Sequence, residues 1–107
     1  MNLTTLKHNY HDAWLVAYAL GPRREIVLTV WLDSVWNPTV LNPVTLRLSA
    51  IGNYEAVAGF FTRAFSGASS RNSLDEIERI TPEAPGFRIA FAEAGEILVA
   101  AAKIQEA

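Results

Sequence analysis

Cysteine is absent from this 107-residue sequence. That excludes disulfides, thiolate metal sites and cysteine nucleophiles, and it fits a reducing compartment. Long apolar runs are also missing, since none reaches the ~18 residues of a membrane-spanning helix. The opening Met-Asn-Leu-Thr-Thr-Leu-Lys-His has no charged region followed by an apolar stretch, so no signal peptide is expected. Basic charge is sparse: seven of the nine basic residues are arginine, scattered from Arg23 to Arg88, and the net charge is −2. No basic field exists to hold a polyanion. Gly21-Pro22 and Gly52-Asn53 are isolated breakers that match no phosphate-binding fingerprint. There is no internal repeat, low-complexity tract or linker. The expectation is one domain over residues 1–107, cytoplasmic, with no membrane or nucleic-acid partner and no cofactor.

Against these absences stands a high apolar content. Hydrophobic residues make up 50% of the chain and charged residues 19%. A chain this long buries roughly 65% of the surface that its unfolded form exposes. The excess of apolar residues suggests that some apolar surface is covered by a partner. The stretch from Asp12 to Leu20 is apolar on both faces of a strand. Strict alternation puts Ala13, Leu15, Ala17 and Ala19 on one face and Trp14, Val16, Tyr18 and Leu20 on the other. One face can line a core; the other needs separate cover.

Gly21-Pro22-Arg23-Arg24 reads as a turn into a second strand, Glu25 to Asp33, with Ile26, Leu28, Val30 and Leu32 inward. A loop from Ser34 to Asn42 carries two Asn-Pro pairs. A third strand, Val44 to Ile51, points Val44, Leu46, Leu48 and Ala50 inward. The period changes at Gly52. Asn53 is a candidate N-cap for a helix from Tyr54 to Phe65, whose stripe is Val57, Phe60, Phe61, Ala64 and Phe65. Gly59 within that helix suggests close packing on the sheet. Ser66 to Asn72 reads as a mobile loop. Ser73-Leu-Asp-Glu forms a capping box for a short helix bearing Leu74, Ile77 and Ile80, with a short strand as the alternative. A hairpin ends the chain, with Phe87, Ile89 and Phe91 alternating, Ala94-Gly95 at the turn, and Ile97 to Ile104 returning. The order is β-β-β-α-short helix-β-β. This implies an α+β fold with a mainly antiparallel sheet of about five strands and one amphipathic helix on one face.

No motif identifies a reaction. His8, His11 and Asp12 are the only cluster of possible metal ligands, but both histidines precede a strand, so no helix aligns them and no third ligand is apparent. His11 and Asp12 are instead expected to fix the start of the first strand through hydrogen bonds to backbone groups. Ser66, Ser69, Ser70 and Ser73 lie in or beside a loop without a fixed base. Glu76 and Glu78 read as a solvated face. No catalytic, metal or cofactor-binding residue is assigned.

The aromatic residues carry more information. Trp14, Tyr18 and Trp31 can share one face of the first hairpin, with Trp36 on the following loop. Tryptophan and tyrosine are enriched at interfaces. The competing readings are packing under the chain's own helix and a small-molecule pocket between helix and sheet, for which Arg47, Asp33, His11 and Asp12 are the polar candidates.

The opening His11-Asp12-Ala13, with its strand, polar turn and second strand, resembles small bacterial α+β domains in which a His-Asp pair precedes a hairpin-rich sheet. Val44-Thr45-Leu46-Arg47-Leu48 followed by Gly52-Asn53-Tyr54-Glu55-Ala56-Val57 resembles their strand-to-helix junction. Some domains of this style are immunity proteins beside secreted toxins. The resemblance implies protein binding and carries over no catalytic residue. The expectation is a non-enzymatic interaction module that forms a homodimer or binds a protein partner. The alternative is a small enzyme or ligand carrier.

Overall fold

The computed structural model describes residues 6–65 and 74–106. Seven strands and one helix follow in the order β1 (Ala13–Gly21), β2 (Glu25–Trp31), β3 (Val44–Ile51), α1 (Tyr54–Ala64), β4 (Asp75–Glu83), β5 (Gly86–Phe91), β6 (Gly95–Val99) and β7 (Ala101–Glu106). The fold is α+β. All strands join one antiparallel sheet in the order β6-β5-β4-β1-β2-β3-β7. The sheet therefore has seven strands, not about five. Two differences account for this: residues 75–83 form a strand, and the returning segment after Gly95 forms two.

The ends of the strand order are consecutive in the chain. Only Ala100 separates β6 from β7, so the sheet must curl until its two edges meet. The bend at Ala100 is clamped from the start of the helix. Gly52 N–H donates to the Ala100 carbonyl at 2.7 Å, and Ala100 N–H donates to Asn53 Oδ1 at 2.9 Å. Asn53 Nδ2 donates to the Leu98 carbonyl at 2.8 Å. Both backbone groups of the bend residue are satisfied, as a break in a ladder requires. Asn53 is consequently not a side-chain N-cap for α1; its amide holds the sheet bend instead.

The inner face holds the core. Ile26, Leu28, Val30 and Leu32 are buried as the alternation predicts, together with Val44, Leu46 and Leu48. At the end of β3 the pattern breaks. Ala50 adopts φ +52° and is exposed, and Ile51 is buried in its place. Helix α1 contributes Val57 and Phe61, both fully buried, and Phe65 follows. Phe60 is half-buried and Ala64 exposed, so the buried stripe is narrower than expected. Gly59 does not mark close packing on the sheet, because a Cβ there would meet only the Arg63 guanidinium. The aromatic rings interlock: Phe61 lies 5.4 Å from Tyr18, 5.8 Å from Phe65 and 5.9 Å from Phe91, centroid to centroid.

The Ser73–Glu76 capping box is not used as expected. Residues from Asp75 onward are extended, and Ser73 lies outside the described residues, as does the Ser66–Asn72 loop. Asp75 is buried, and its carboxylate accepts from Glu76 N–H at 2.8 Å and Ala94 N–H at 2.9 Å, tying β4 to the β5–β6 turn. Pro82 sits inside β4 without breaking the ladder. On that side β1 pairs only with Asp75–Ile77, so no strand demands the missing donor. No helix among the described residues is long and apolar enough to cross a membrane.

Candidate functional site

A bulge in β1 decides which aromatic side chains reach solvent. Leu15 pairs with Val30 and Ala17 with Thr29, which leaves Val16 as an extra residue between them. One inserted residue reverses the alternation beyond it. Ala13 and Leu15 point inward before the bulge, with Trp14 outward. After it, Tyr18 turns inward onto Phe61 and Phe65, while Ala17 and Ala19 are exposed. The expectation that Trp14, Tyr18 and Trp31 share a face is therefore corrected: Tyr18 joins the core and the two tryptophans do not.

Trp14 and Trp31 are directly opposed cross-strand partners. They are 45% and 51% exposed, and Trp36 is 48% exposed. On the other side of Trp14, the opposing residue is Glu76 of β4. Glu76 alternates with buried Asp75 and Ile77, so it shares the outer face. The result is a row across three strands, Glu76–Trp14–Trp31.

The row turns a corner toward Asp12, whose charge acts on Glu76. Burial, then the charges of Asp12 and Glu78, hold the Glu76 carboxyl above the usual range; its contact with the Asp12 carboxyl group and the charge of Asp75 act in the same direction. Asp12 lies 3.5 Å from His11 Nε2. His11 Nδ1 stands 3.0 Å from the Glu78 carbonyl; that oxygen only accepts, so the nitrogen donates. The His11 ring meets Trp36 edge-on, 5.3 Å between centroids.

The loop that presents Trp36 is fixed by polar contacts. Asn37 is buried; its Nδ2 donates to the Asn9 carbonyl at 2.8 Å, and its Oδ1 accepts from Asn9 N–H at 3.0 Å. Asn42 brackets Leu32 in the same way, accepting from its N–H at 2.7 Å and donating to its carbonyl at 3.1 Å. Glu106 anchors the segment leading into β1, accepting from Lys7 N–H at 2.7 Å and from the Tyr10 hydroxyl at 2.8 Å. Burial, followed by that hydrogen bond and the Glu106 charge, raises the Tyr10 hydroxyl far above its ordinary pKa.

His11 thus bonds a backbone carbonyl of β4, and its ring also links Asp12 to Trp36. No three His, Asp or Glu residues among the described ones are grouped to hold a metal ion. A groove of about 430 Å³ lies between residues 6–11 and the end of β4, lined by Tyr10, Arg79, Ile80 and Pro82 among others. It is not between helix and sheet. Of the polar candidates for an internal pocket, only His11 lines this groove; Arg47 is exposed and paired with Glu25, Asp33 accepts from Val35 N–H in its loop, and Asp12 is on the outer strip beside His11.

The sequence reading missed Glu76 as a neighbour of Trp14 because it placed Glu76 on a helix. The signal available was the alternation of Asp75, Ile77 and the β-branched residues after it. No family model, curated protein or solved structure matches the chain.

Proposed function

We propose that this protein is a non-enzymatic protein-interaction module that binds through the outer face of the β1–β2 hairpin. One observation carries the reading: Trp14 and Trp31 are opposed across the two strands and each is about half exposed, although a buried core was within reach of Tyr18 on the same strand. Large aromatic side chains held on a rigid sheet are the groups that anchor protein interfaces. Val35 and Leu41, 78% and 90% exposed on the adjoining loop, enlarge the apolar surface. The resemblance of the His11-Asp12 opening to bacterial immunity-type domains supports the same reading. A specific interface would bury on the order of 1,200–2,000 Å² in total.

The occupant is a second copy or a different protein, and sedimentation equilibrium at micromolar concentration separates them. A mass of 11.8 kDa assigns the face to a different protein. Twice that mass, lost in Trp14→Ala and kept in Arg88→Ala, assigns it to a second copy. A dimer indifferent to Trp14→Ala refutes the assignment of this face.

A further inference from the structure

The charges around the tryptophans define the partner. Elsewhere Glu25, Glu83 and Glu96 have arginines of their own, while Asp33, Glu55 and Glu93 stand singly, without an ion pair among the described residues. Arg88 forms a forked pair with Glu83, at 3.0 and 2.6 Å, and also approaches Glu96. Arg79 lies 3.4 Å from Glu96, and Arg47 pairs with Glu25. The strip beside Trp14 is different. Among the described residues neither Glu76 nor Glu78 has a lysine or arginine within ion-pair distance, and Asp12 has only His11. Glu76 nevertheless feels the charges of both Asp12 and Glu78, and His11 bridges the Asp12 carboxylate and the Glu78 backbone at 3.5 and 3.0 Å.

We infer that the strip formed by Asp12, Glu76 and Glu78 beside Trp14, Trp31 and Trp36 binds an arginine- or lysine-bearing segment of another protein. This deepens the interaction reading and rests on it. A guanidinium or ammonium placed here relieves the repulsion among the carboxylates and lies over an indole face, and both interactions strengthen as the site is desolvated. A second copy is the poorer occupant. Twofold docking of the same patch brings these three carboxylates toward their equivalents, and the strip contains no lysine or arginine to offset them.

The test uses the intact protein and a hexa-arginine peptide as probe, followed by intrinsic tryptophan fluorescence at about 50 mM salt, where screening is modest. Saturable binding is expected. The Asp12→Asn/Glu76→Gln double variant should bind at least tenfold more weakly, and Trp14→Ala should also weaken it. Glu55→Gln, an exposed carboxylate on α1, should bind like wild type, and a hexa-glutamate peptide should not bind. Circular dichroism confirms that each variant is folded; Trp14→Ala serves if the double variant is not. Absence of saturable binding overturns the inference, as does equal affinity in the folded double variant and in Trp14→Ala. If hexa-arginine fails while Trp14→Ala dissociates a dimer, the cationic partner is wrong and the interaction reading survives with a second copy in the site. If hexa-arginine fails and any dimer ignores Trp14→Ala, both fall.

Discussion

Replacing Phe61 with alanine tests how the helix is held. Phe61 is fully buried, and its ring contacts Tyr18, Phe60, Phe65 and Phe91 at centroid distances of 5.4 to 5.9 Å. Truncation removes the ring from every one of these pairs and leaves a cavity between α1 and the sheet. Changes of this kind cost about 3–5 kcal/mol. The expected total stability is ~5–15 kcal/mol, so the loss is a large fraction of it. With a urea slope of about 1.5 kcal/mol/M, a cost of ~4 kcal/mol lowers the midpoint by roughly 2–3 M. The comparison variants are Phe60→Ala, whose ring is only half-buried, and Arg63→Ala, whose side chain is exposed. Urea denaturation followed by circular dichroism should rank the losses Phe61, then Phe60, then Arg63. A Phe61→Ala midpoint no lower than that of Arg63→Ala would refute the docking of α1 by this ring.

Two further substitutions probe the bend and the acidic strip. Asn53→Ala removes the two hydrogen bonds that hold Leu98 and Ala100 and leaves partly buried backbone groups unpaired, at a cost of about 1–3 kcal/mol in thermal or urea unfolding; a neutral result would mean that the clamp contributes nothing. Glu76→Gln concerns pH. The Glu76 carboxyl is raised in the folded protein, so the folded state binds its proton more tightly than the unfolded state. Its ionised form therefore penalises folding above the raised folded value, and the penalty vanishes below the ordinary glutamate value. Glu76→Gln should raise the melting temperature at pH 7 and not at pH 3. An equal effect at both values would contradict the repulsion.

The strands were legible wherever one face was buried and the other was not. In most of β3 apolar and polar residues alternate, and in β2 the fully apolar face of Ile26, Leu28 and Val30 opposes a mixed one, so the core positions follow from the pattern alone. The stripe of α1 was legible for the same reason, at a period of 3.6. In β1 the sequence Ala-Trp-Leu-Val-Ala-Tyr is apolar throughout, so the extra residue at Val16 leaves no mark and the reversal of Tyr18 could not be read. The strand at 75–83 was obscured by Ser73, Asp75 and Glu76, which suit a helix start; the buried Asp75 carboxylate serves a tertiary contact with the β5–β6 turn instead. The role of Asn53 was hidden likewise, because its partners lie more than forty residues away in the chain. Trp14, Trp31 and Trp36 were visible as a group, but the carboxylates beside them depend on the pairing of β1 with β4, which no local pattern encodes.

If Trp14, Trp31 and Trp36 form the binding face, their indole groups sense its occupation directly. The three tryptophans of the chain give three indole N–H signals in a nitrogen–proton correlation spectrum of the labelled protein. These signals should be followed as the protein is concentrated and as hexa-arginine is added. On addition of hexa-arginine the three indole signals and the amides of Trp14, Trp31 and Glu76 should move, while those of Val57 and Phe61 on the helix stay in place. Shifts centred on the helix, or indole signals unchanged under both titrations, would contradict that assignment of the face.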